Sequence, residues 1–417
     1  MALRQYGDVI HRRIGIYGTF ALLVSIHHAR FQMTPQANAS LFAPCPRGLE
    51  NLLAAELTGL GAGKLRVVAG GVAFEGDTGV VYRANLESRI ATRILLRLFA
   101  VPYRAEEDIY RAARDFDWPN AFAVDQTIRV YMTAQRCPLK SLDFITLRIK
   151  DAVCDCFRDA LDKRPDVDTR APDVRIHAFL DATEFTLYLD TSGEPLFKRG
   201  ARAAPGEAPL KENLAAGILK LAGWQPGMTL LDPMCGGGTL LIEAAQMALD
   251  IAPGGARGFG FEKLKSFDAA LWNELRGAAL ARRKPVEALP IYGGDLYGDT
   301  LKLAHANLEA AGLTGAVQLK QANALEISAP AASGVLVTNP PYGERIGELD
   351  ELAEFYTQFG NALKQKFAGW NCYILSADMR LPKLIKLQAS KRTPLFNGAL
   401  ECRLFEYKIV AGSNRNP

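Results

Sequence analysis

The sequence has few of the residues that build metal centres and disulfide frameworks. Its 417 residues include seven cysteines and five histidines, and no combination of them has the spacing of a zinc site. Cys154 and Cys156 form the only close cysteine pair. This odd, scattered set is typical of reduced thiols in a cytoplasmic protein, so we predict neither a disulfide framework nor a metal.

Long hydrophobic runs and a strong excess of charge are also lacking. The apolar stretch from Ile14 to Ile26 is too short to cross a bilayer, and no other segment is a candidate, so we predict no membrane partner. The formal net charge is only +4, which permits nucleic acid as a ligand without indicating it. Residues 1–40 read as an extension of uncertain role: either translation from a start upstream of Met33 or a targeting segment.

The rest of the chain divides into two regions that differ in pattern. Residues 41–197 mix strands, hairpins and helices, which predicts an α+β region; one of its predicted helices covers residues 81–103. Residues 198–213 are rich in proline, glycine and basic residues and read as a linker. Residues 214–417 alternate strands with helices, which predicts a Rossmann-like, doubly wound α/β domain.

A glycine-rich motif, LLDPMCGGGTLLIEAA, joins a buried strand to a helix in the second region. Such a turn lets a ligand approach the backbone and the helix N-terminus. The Asp232 carboxylate before the turn suits an ammonium group better than a pyrophosphate, although dinucleotide binding and a purely structural turn remain open. Asp295 ends the next strand, where it can bind ribose hydroxyls or cap a helix. Asn323 follows the third strand and can meet an adenine edge.

The most specific motif is VLVTNPPYGER, in which a strand ends at Asn339, Pro340, Pro341 and Tyr342. Two prolines stop a strand sharply and stiffen the turn that follows. An exocyclic base amine is a poor nucleophile, because its lone pair is delocalised into the ring. The Asn339 amide oxygen and the Pro340 carbonyl can hold its two hydrogens while the Tyr342 ring stacks on the base, so positioning and electrostatics supply the catalysis.

Two sets of basic residues are candidates for RNA contact. On the predicted helix 81–103, Arg89, Arg93 and Arg97 recur every four residues and would form a basic stripe, although a solvated helix face is an equal alternative. The predicted linker contributes a second set between the two regions: Lys198, Arg199, Arg202 and Lys211.

These motifs, together with PCPRGLENLLAAEL, DTSGEPLFKRGARAAPGEAPLKENLAAGIL and FAGWNCYILSA, resemble the bacterial THUMP-domain methyltransferases that modify guanine N2 in large-subunit ribosomal RNA. The resemblance covers residues 41 to about 410 and implies a ferredoxin-like segment, a THUMP RNA-binding domain and a Rossmann-like methyltransferase domain. The cofactor that it implies is S-adenosylmethionine, and the residues assigned to the cofactor site are Asp232, Pro233, Cys235, Gly236, Gly238, Asp295 and Asn323. Asn323 departs from the Asp that is frequent in relatives, and the second methyltransferase domain of some relatives is missing, which implies one modification.

The predicted function is methyl transfer to guanine N2 in 23S ribosomal RNA, with that RNA as partner and Asn339, Pro340 and Tyr342 as the catalytic residues. Guanine-N2 methylation of transfer RNA and adenine-N6 methylation of a nucleic acid are the alternatives. Protein glutamine methylation would leave the N-terminal region unexplained. A non-catalytic RNA-binding factor is disfavoured by intact Asp232, Asn339 and Tyr342. The sequence does not indicate an oligomeric state.

Overall fold

Two seven-stranded β-sheets organise the part of the chain that the structure describes. The computed structural model describes residues 38–200, 210–340 and 348–410. Most of the predicted extension, the middle of the predicted linker and Tyr342 therefore lie outside the described residues. Within the described ranges no helix is both long and apolar enough to span a bilayer.

The first sheet belongs to the region predicted to be α+β, and that class is confirmed. Its strands are β1 (Ala39–Pro44), β2 (Gly63–Val68), β3 (Gly71–Gly76), β4 (Leu95–Pro102), β5 (Ile128–Ala134), β6 (Val174–Leu180) and β7 (Glu184–Asp190). The accompanying helices are α1 (Glu50–Gly59), α2 (Thr78–Glu87), α3 (Glu106–Arg114), α4 (Trp118–Ala121) and α5 (Leu142–Leu161). The strand order is β2-β3-β1-β4-β7-β6-β5. Strand β4 pairs with both β1 and β7, so the two halves of this region share one continuous sheet.

The prediction of one helix over residues 81–103 is wrong. Helix α2 ends at Glu87, Ser88 takes an extended conformation with ψ of 124°, and Leu95–Pro102 form strand β4. The apolar residues of this segment fit either periodicity. Backbone pairing with β1 on one side and β7 on the other decides for the strand, because tertiary pairing overrides local propensity.

The second sheet confirms the doubly wound fold. Its strands are β8 (Leu230–Asp232), β9 (Ile291–Asp295), β10 (Gln318–Gln321), β11 (Gly334–Thr338), β12 (Trp370–Ser376), β13 (Lys391–Asn397) and β14 (Leu400–Lys408). The helices are α6 (Glu212–Leu221), α7 (Thr239–Ala248), α8 (Ala269–Arg282), α9 (Gly298–Ala310), α10 (Glu348–Lys366) and α11 (Leu381–Leu384), with a 3₁₀ turn at Gly260–Lys263. The order is β10-β9-β8-β11-β12-β14-β13. Strands β8 to β12 are parallel, and the order reverses between β8 and β11. Ligands of such sheets bind at this reversal, beyond the carboxyl ends of the strands.

The two regions pack against each other through apolar contacts. One cluster of buried side chains extends from Leu41 in the first sheet to Leu404 in the second. At the contact, the Tyr82 and Phe261 rings stack with centroids 4.3 Å apart. A Cβ atom at Gly217 would lie 2.3 Å from the Leu49 side chain, so only glycine lets helix α6 approach this closely. The N-terminal region is thereby held in a fixed position on the α/β domain.

A buried charge cluster reinforces this contact. Glu243 of helix α7 is fully buried and accepts hydrogen bonds from Arg199 Nε at 3.0 Å and Arg89 Nη1 at 3.3 Å. Arg199 also donates to the Arg89 carbonyl at 2.8 Å. Burial lowers the pKa of the Arg89 guanidinium, and the Glu243 carboxylate opposes that effect. One carboxylate of the α/β domain thus bridges an arginine from the N-terminal region and one from the segment between the two regions.

Glu243→Gln is expected to destabilise the protein by about 3 kcal/mol, because it leaves two buried arginines without their counter-ion. The free energy of unfolding, measured by denaturant titration, checks this. Asp299→Asn is the matched control: it breaks a fully exposed ion pair with Lys302 and is expected to leave stability unchanged. Equal stability of the Glu243→Gln protein and the wild type would contradict the structural role of the cluster.

Candidate active site

The strand ends at the sheet reversal bring the two predicted motifs together. Asp232 is the last residue of β8, and Thr338 is the last residue of β11. Thr338 Oγ1 donates a hydrogen bond of 2.8 Å to Asp232 Oδ1, and both side chains are buried. Asn339 follows Thr338 directly, so the glycine motif and the asparagine–proline corner are in contact through one hydrogen bond.

The glycine motif forms a tight turn between β8 and α7. Cys235 N donates to the Gly294 carbonyl at 2.8 Å, and Gly238 N donates to the Cys235 carbonyl at 2.9 Å. Gly236 and Gly238 have φ of 55° and 81°, a left-handed conformation that favours glycine. A Cβ at Gly236 would meet no atom within 4 Å, so open space lies beside the turn. The helix N-terminus that follows points its N–H groups toward this edge of the sheet.

Asp295 ends β9 beside this turn, as the sequence predicts. Its Oδ2 accepts a hydrogen bond of 3.1 Å from Gly236 N, and its Oδ1 accepts one of 3.1 Å from Tyr297 N. The carboxylate therefore holds the glycine turn against the start of α9, whose N-cap residue is Tyr297 rather than Asp295. Asp295 is only half-buried, so it can also meet a ligand at the edge.

The other residues predicted to bind the cofactor, Pro233, Cys235 and Asn323, differ in how deeply their side chains are buried. Pro233 and Cys235 are buried, and burial raises the pKa of the Cys235 thiol, so this side chain packs inward and its backbone builds the turn. Asn323 is half-buried in the loop after β10, where its Oδ1 accepts from Leu325 N at 3.0 Å. That bond orders the loop and occupies one acceptor of the amide.

Three residues at this edge escaped sequence analysis. Thr338 contacts Asp232 but was hidden because a Thr before the NPP motif reads as an ordinary strand residue. Leu296 and Tyr297 are 52% and 67% exposed, directly after Asp295. Exposed apolar side chains at this position offer a surface for a flat heterocycle, and their place behind an acidic strand end is the signal that could have found them.

The electrostatics of Asp232 favour a positively charged ligand. Burial raises the pKa of its carboxyl group to about 7, hydrogen bonds from Thr338 and Met234 oppose this, and the Asp295 carboxylate raises it further. Within the described parts of the chain, neither carboxylate forms an ion pair with Lys, Arg or His. A ligand cation would supply the missing positive charge and favour the ionised carboxylate.

The predicted basic stripe does not exist. Because helix α2 ends at Glu87, Arg89 and Arg93 lie in the connection to β4, and their side chains are 11% and 15% exposed. Arg89 pairs with Glu243, and Arg93 pairs with Asp190 and the Gly193 carbonyl. These arginines form ion pairs that hold the fold together, and their contact with RNA stays a prediction.

The linker residues separate into three groups. Arg199 is buried on Glu243 and serves the contact between the regions. Lys198 is exposed and pairs with Glu194 at 2.6 Å, whereas Lys211 lies half-buried beside the Phe197 ring. Arg202 lies outside the described residues. Lys198 and Lys211 remain candidates for contact with RNA.

Two family models match the region of the first sheet, and a third matches the region of the second sheet. The RlmL ferredoxin-like domain matches residues 40–95, the THUMP domain matches residues 103–190, and the RMKL-like methyltransferase domain matches residues 199–406. These matches and the site at the sheet reversal define the class: a methyltransferase joined to an RNA-binding region.

Individual relatives agree with this division. A predicted RNA methyltransferase of Synechocystis is 40% identical over 369 residues, which cover 88% of this chain and 96% of that protein. The ribosomal RNA large subunit methyltransferase K/L of a Shewanella species is 42% identical over 382 residues, or 90% of this chain and 54% of that protein. The chain therefore spans about half the length of this second relative.

A solved structure extends the agreement to three dimensions. A crystal structure of a predicted methyltransferase complexed with SAH has a TM-score of 0.82 and 30% identity, and the match covers 90% of this chain and 99% of that one. The chain belongs to the family of THUMP-domain RNA methyltransferases that carry an RMKL-like methyltransferase domain. Its cofactor is S-adenosylmethionine, which fits the open glycine turn and the buried Asp232 carboxylate, since that carboxylate forms no ion pair with any described residue.

Binding of S-adenosylmethionine is expected to weaken as the pH falls through 7. A cationic ligand needs the ionised carboxylate, and below its pKa of about 7 Asp232 is protonated in the free protein. Kd should therefore rise by about tenfold per pH unit below 7. Calorimetry between about pH 5.5 and about pH 7.5 measures this.

Asp232→Asn is the matched variant for this measurement. It should bind S-adenosylmethionine weakly at every pH in the range, because its amide does not titrate. A wild-type Kd that stays constant across the range would show that the Asp232 carboxylate does not contribute to binding.

Proposed function

We propose that this protein transfers a methyl group from S-adenosylmethionine to the exocyclic N2 amine of a guanine in large-subunit ribosomal RNA. The observation that carries the proposal is the hydrogen bond between Thr338 and Asp232. It fixes the cofactor strand beside the corner formed by Asn339 and Pro340, at the edge where the sheet binds ligands. The name of the Shewanella relative supports the choice of ribosomal RNA, and action on that RNA suits a cytoplasmic enzyme.

Asn339 and Pro340 have the chemistry to hold an exocyclic amine. The Asn339 side chain is half-buried at the end of β11, and the Pro340 side chain is buried. The Asn339 amide oxygen and the Pro340 carbonyl oxygen accept the two amine hydrogens, which favours a pyramidal nitrogen with its lone pair directed at the donor. The cofactor, when bound, supplies a methyl group activated by its sulfonium.

No strong base is needed in this arrangement. Methylation leaves a positively charged nitrogen that releases one proton to water, so the two oxygen acceptors have only to orient the amine and stabilise the charge that develops on it. The base stacks on the Tyr342 ring, which belongs to the part of the motif outside the described residues. Because a paired base is not accessible, the target guanine has to leave its helix or lie in a loop.

The N-terminal region supplies the affinity for RNA in this proposal. Its sheet is joined to the catalytic domain through a shared apolar cluster and the Glu243 charge cluster. RNA bound to this region therefore meets the catalytic edge in a fixed orientation. Such preorganisation lowers the entropic cost of presenting one guanine to Asn339.

Complementation of a strain that lacks the protein tests the proposal. Mass mapping of nucleosides is expected to show loss of one N2-methylguanosine from large-subunit ribosomal RNA and its return with the wild-type gene. Asn339→Ala should fail to restore it while binding S-adenosylmethionine normally, because the amine loses one acceptor. Asn371→Ala, at an exposed position at the other end of the sheet, is the control and should restore the modification.

Other outcomes would contradict the proposal in distinct ways. A lost modification in transfer RNA would change the substrate, and a lost N6-methyladenosine would change the target base. Full restoration by Asn339→Ala would remove Asn339 from the mechanism.

A further inference from the structure

A basic cavity lies outside the site described above. It has a volume of about 440 Å³, and its walls come from distant parts of the chain: the loop between β1 and α1, Gly70 in the turn between β2 and β3, Thr92 before β4, the segment before α6 with the start of that helix, and the turn between β13 and β14. The lining residues that matter chemically are Arg47, Phe197, Lys211, Asn213 and Phe396. Among the described residues that line it, Arg47 and Lys211 are charged and none is Asp or Glu, whereas the Glu50 carboxylate contacts the wall through Gly70 N at 2.9 Å.

Each of the two cationic side chains of the cavity lies over an aromatic ring. The Arg47 guanidinium carbon is 5.6 Å from the Phe396 ring centroid, and Lys211 Nζ is 5.1 Å from the Phe197 ring centroid. Arg47 is exposed, and the other three side chains are half-buried. Phosphate oxygens bind such cations, and unpaired bases stack on aromatic rings and on guanidinium planes.

The wall of the cavity also contains a buried amide. Asn213 is 1% exposed, and its Nδ2 donates to the Ile90 carbonyl and to Thr92 Oγ1. Its Oδ1 is buried as well and accepts no hydrogen bond from the described residues. The two donated bonds join the start of α6 to the connection before β4, so this part of the wall has a fixed position.

The cavity is built rather than incidental. Gly48, in the loop that carries Arg47, has φ of 94°, and a Cβ there would lie 2.3 Å from the Pro394 carbonyl oxygen of β13. The loop and the β13–β14 hairpin are therefore in close backbone contact, which keeps Arg47 beside Phe396.

The topology places this cavity at the catalytic edge of the second sheet. Thr338 of β11 pairs with Ile374 of β12, and Ile374 pairs with Phe405 of β14. The residues of β14 that precede Phe405 extend beyond this edge of the sheet, and the turn between β13 and β14 that lines the cavity lies just before them in the chain. Two strand spacings and five residues of strand separate Thr338 from Leu400, a distance on the order of 20 Å.

We propose that this cavity binds a single-stranded nucleotide that flanks the target guanine, with its phosphate between Arg47 and Lys211 and its base against the Phe396 ring. This inference rests on the proposed function for the identity of the RNA. It explains how an unpaired strand can be held at two points: the asparagine–proline corner binds the flipped base, and this cavity binds a nucleotide that flanks it.

Binding of protein-free large-subunit ribosomal RNA to the full chain tests the inference. The double variant Arg47→Ala/Lys211→Ala is expected to bind this RNA at least tenfold more weakly. The slope of log K against log salt should fall by about 1 to 2, because two phosphate contacts are lost. The Kd for S-adenosylmethionine should not change. Lys391→Ala/Arg392→Ala, which removes two exposed cations at the other end of the same hairpin, is the matched control and should keep the wild-type affinity.

A second variant separates the role of the ring from folding. Phe396→Ala should weaken RNA binding at least fivefold, and Phe396→Tyr should restore it, with thermal midpoints close to that of the wild type. Unchanged RNA affinity and an unchanged salt slope in the double variant would overturn the inference. Because the experiment measures RNA binding, it tests the cavity separately from the proposed function. A wild-type protein that binds the RNA but does not methylate it would refute the proposed function, while the effect of the variants on binding would still test the cavity.

Discussion

The structure depends on one buried hydrogen bond, from Thr338 Oγ1 to Asp232 Oδ1. It joins the ends of the two strands between which the sheet order reverses. Asp232 precedes the glycine turn that we propose as the cofactor site, and Thr338 precedes the corner that we propose as the base site. Because both side chains are buried, water cannot easily replace either partner. In this proposal the same contact positions the donor and the acceptor of the methyl group.

Burial has opposite consequences for the two carboxylates that organise the molecule. Glu243 is buried among arginines and contributes to the contact between the RNA-binding region and the catalytic domain. Asp232 is buried and forms no ion pair with a cationic side chain among the described residues; burial raises its pKa to about 7, and a ligand cation would balance its charge. The first arrangement is structural, and the second is the kind that functional sites maintain at a cost in stability.

The sequence predicted the parts of the site that depend on local signals. The glycine turn, the carboxylates at the ends of β8 and β9, and the sharp end of β11 follow from residue types that permit few backbone conformations. It failed where distant residues decide. The apolar residues of strand β4 fit the periodicity of a helix as well as that of a strand, and only backbone pairing with β1 and β7 makes the segment a strand. Arg93 was predicted to contact RNA because nothing in the sequence indicates its buried partner Asp190, which lies 97 residues away. The basic cavity could not be predicted from the sequence either, because residues far apart in the chain line it.

The coupling between the two strand ends can be measured with a double-mutant cycle on methyl transfer. Thr338→Val, Asp232→Ala and the double variant would be compared with the wild type by kcat/KM on ribosomal RNA, because only a side chain without an acceptor removes the hydrogen bond. If the hydrogen bond couples the two corners, Thr338→Val lowers kcat/KM strongly in the wild type and has little further effect once Asp232 is changed. Equal fold-losses in both backgrounds would show that the two strand ends act independently, and would contradict the account.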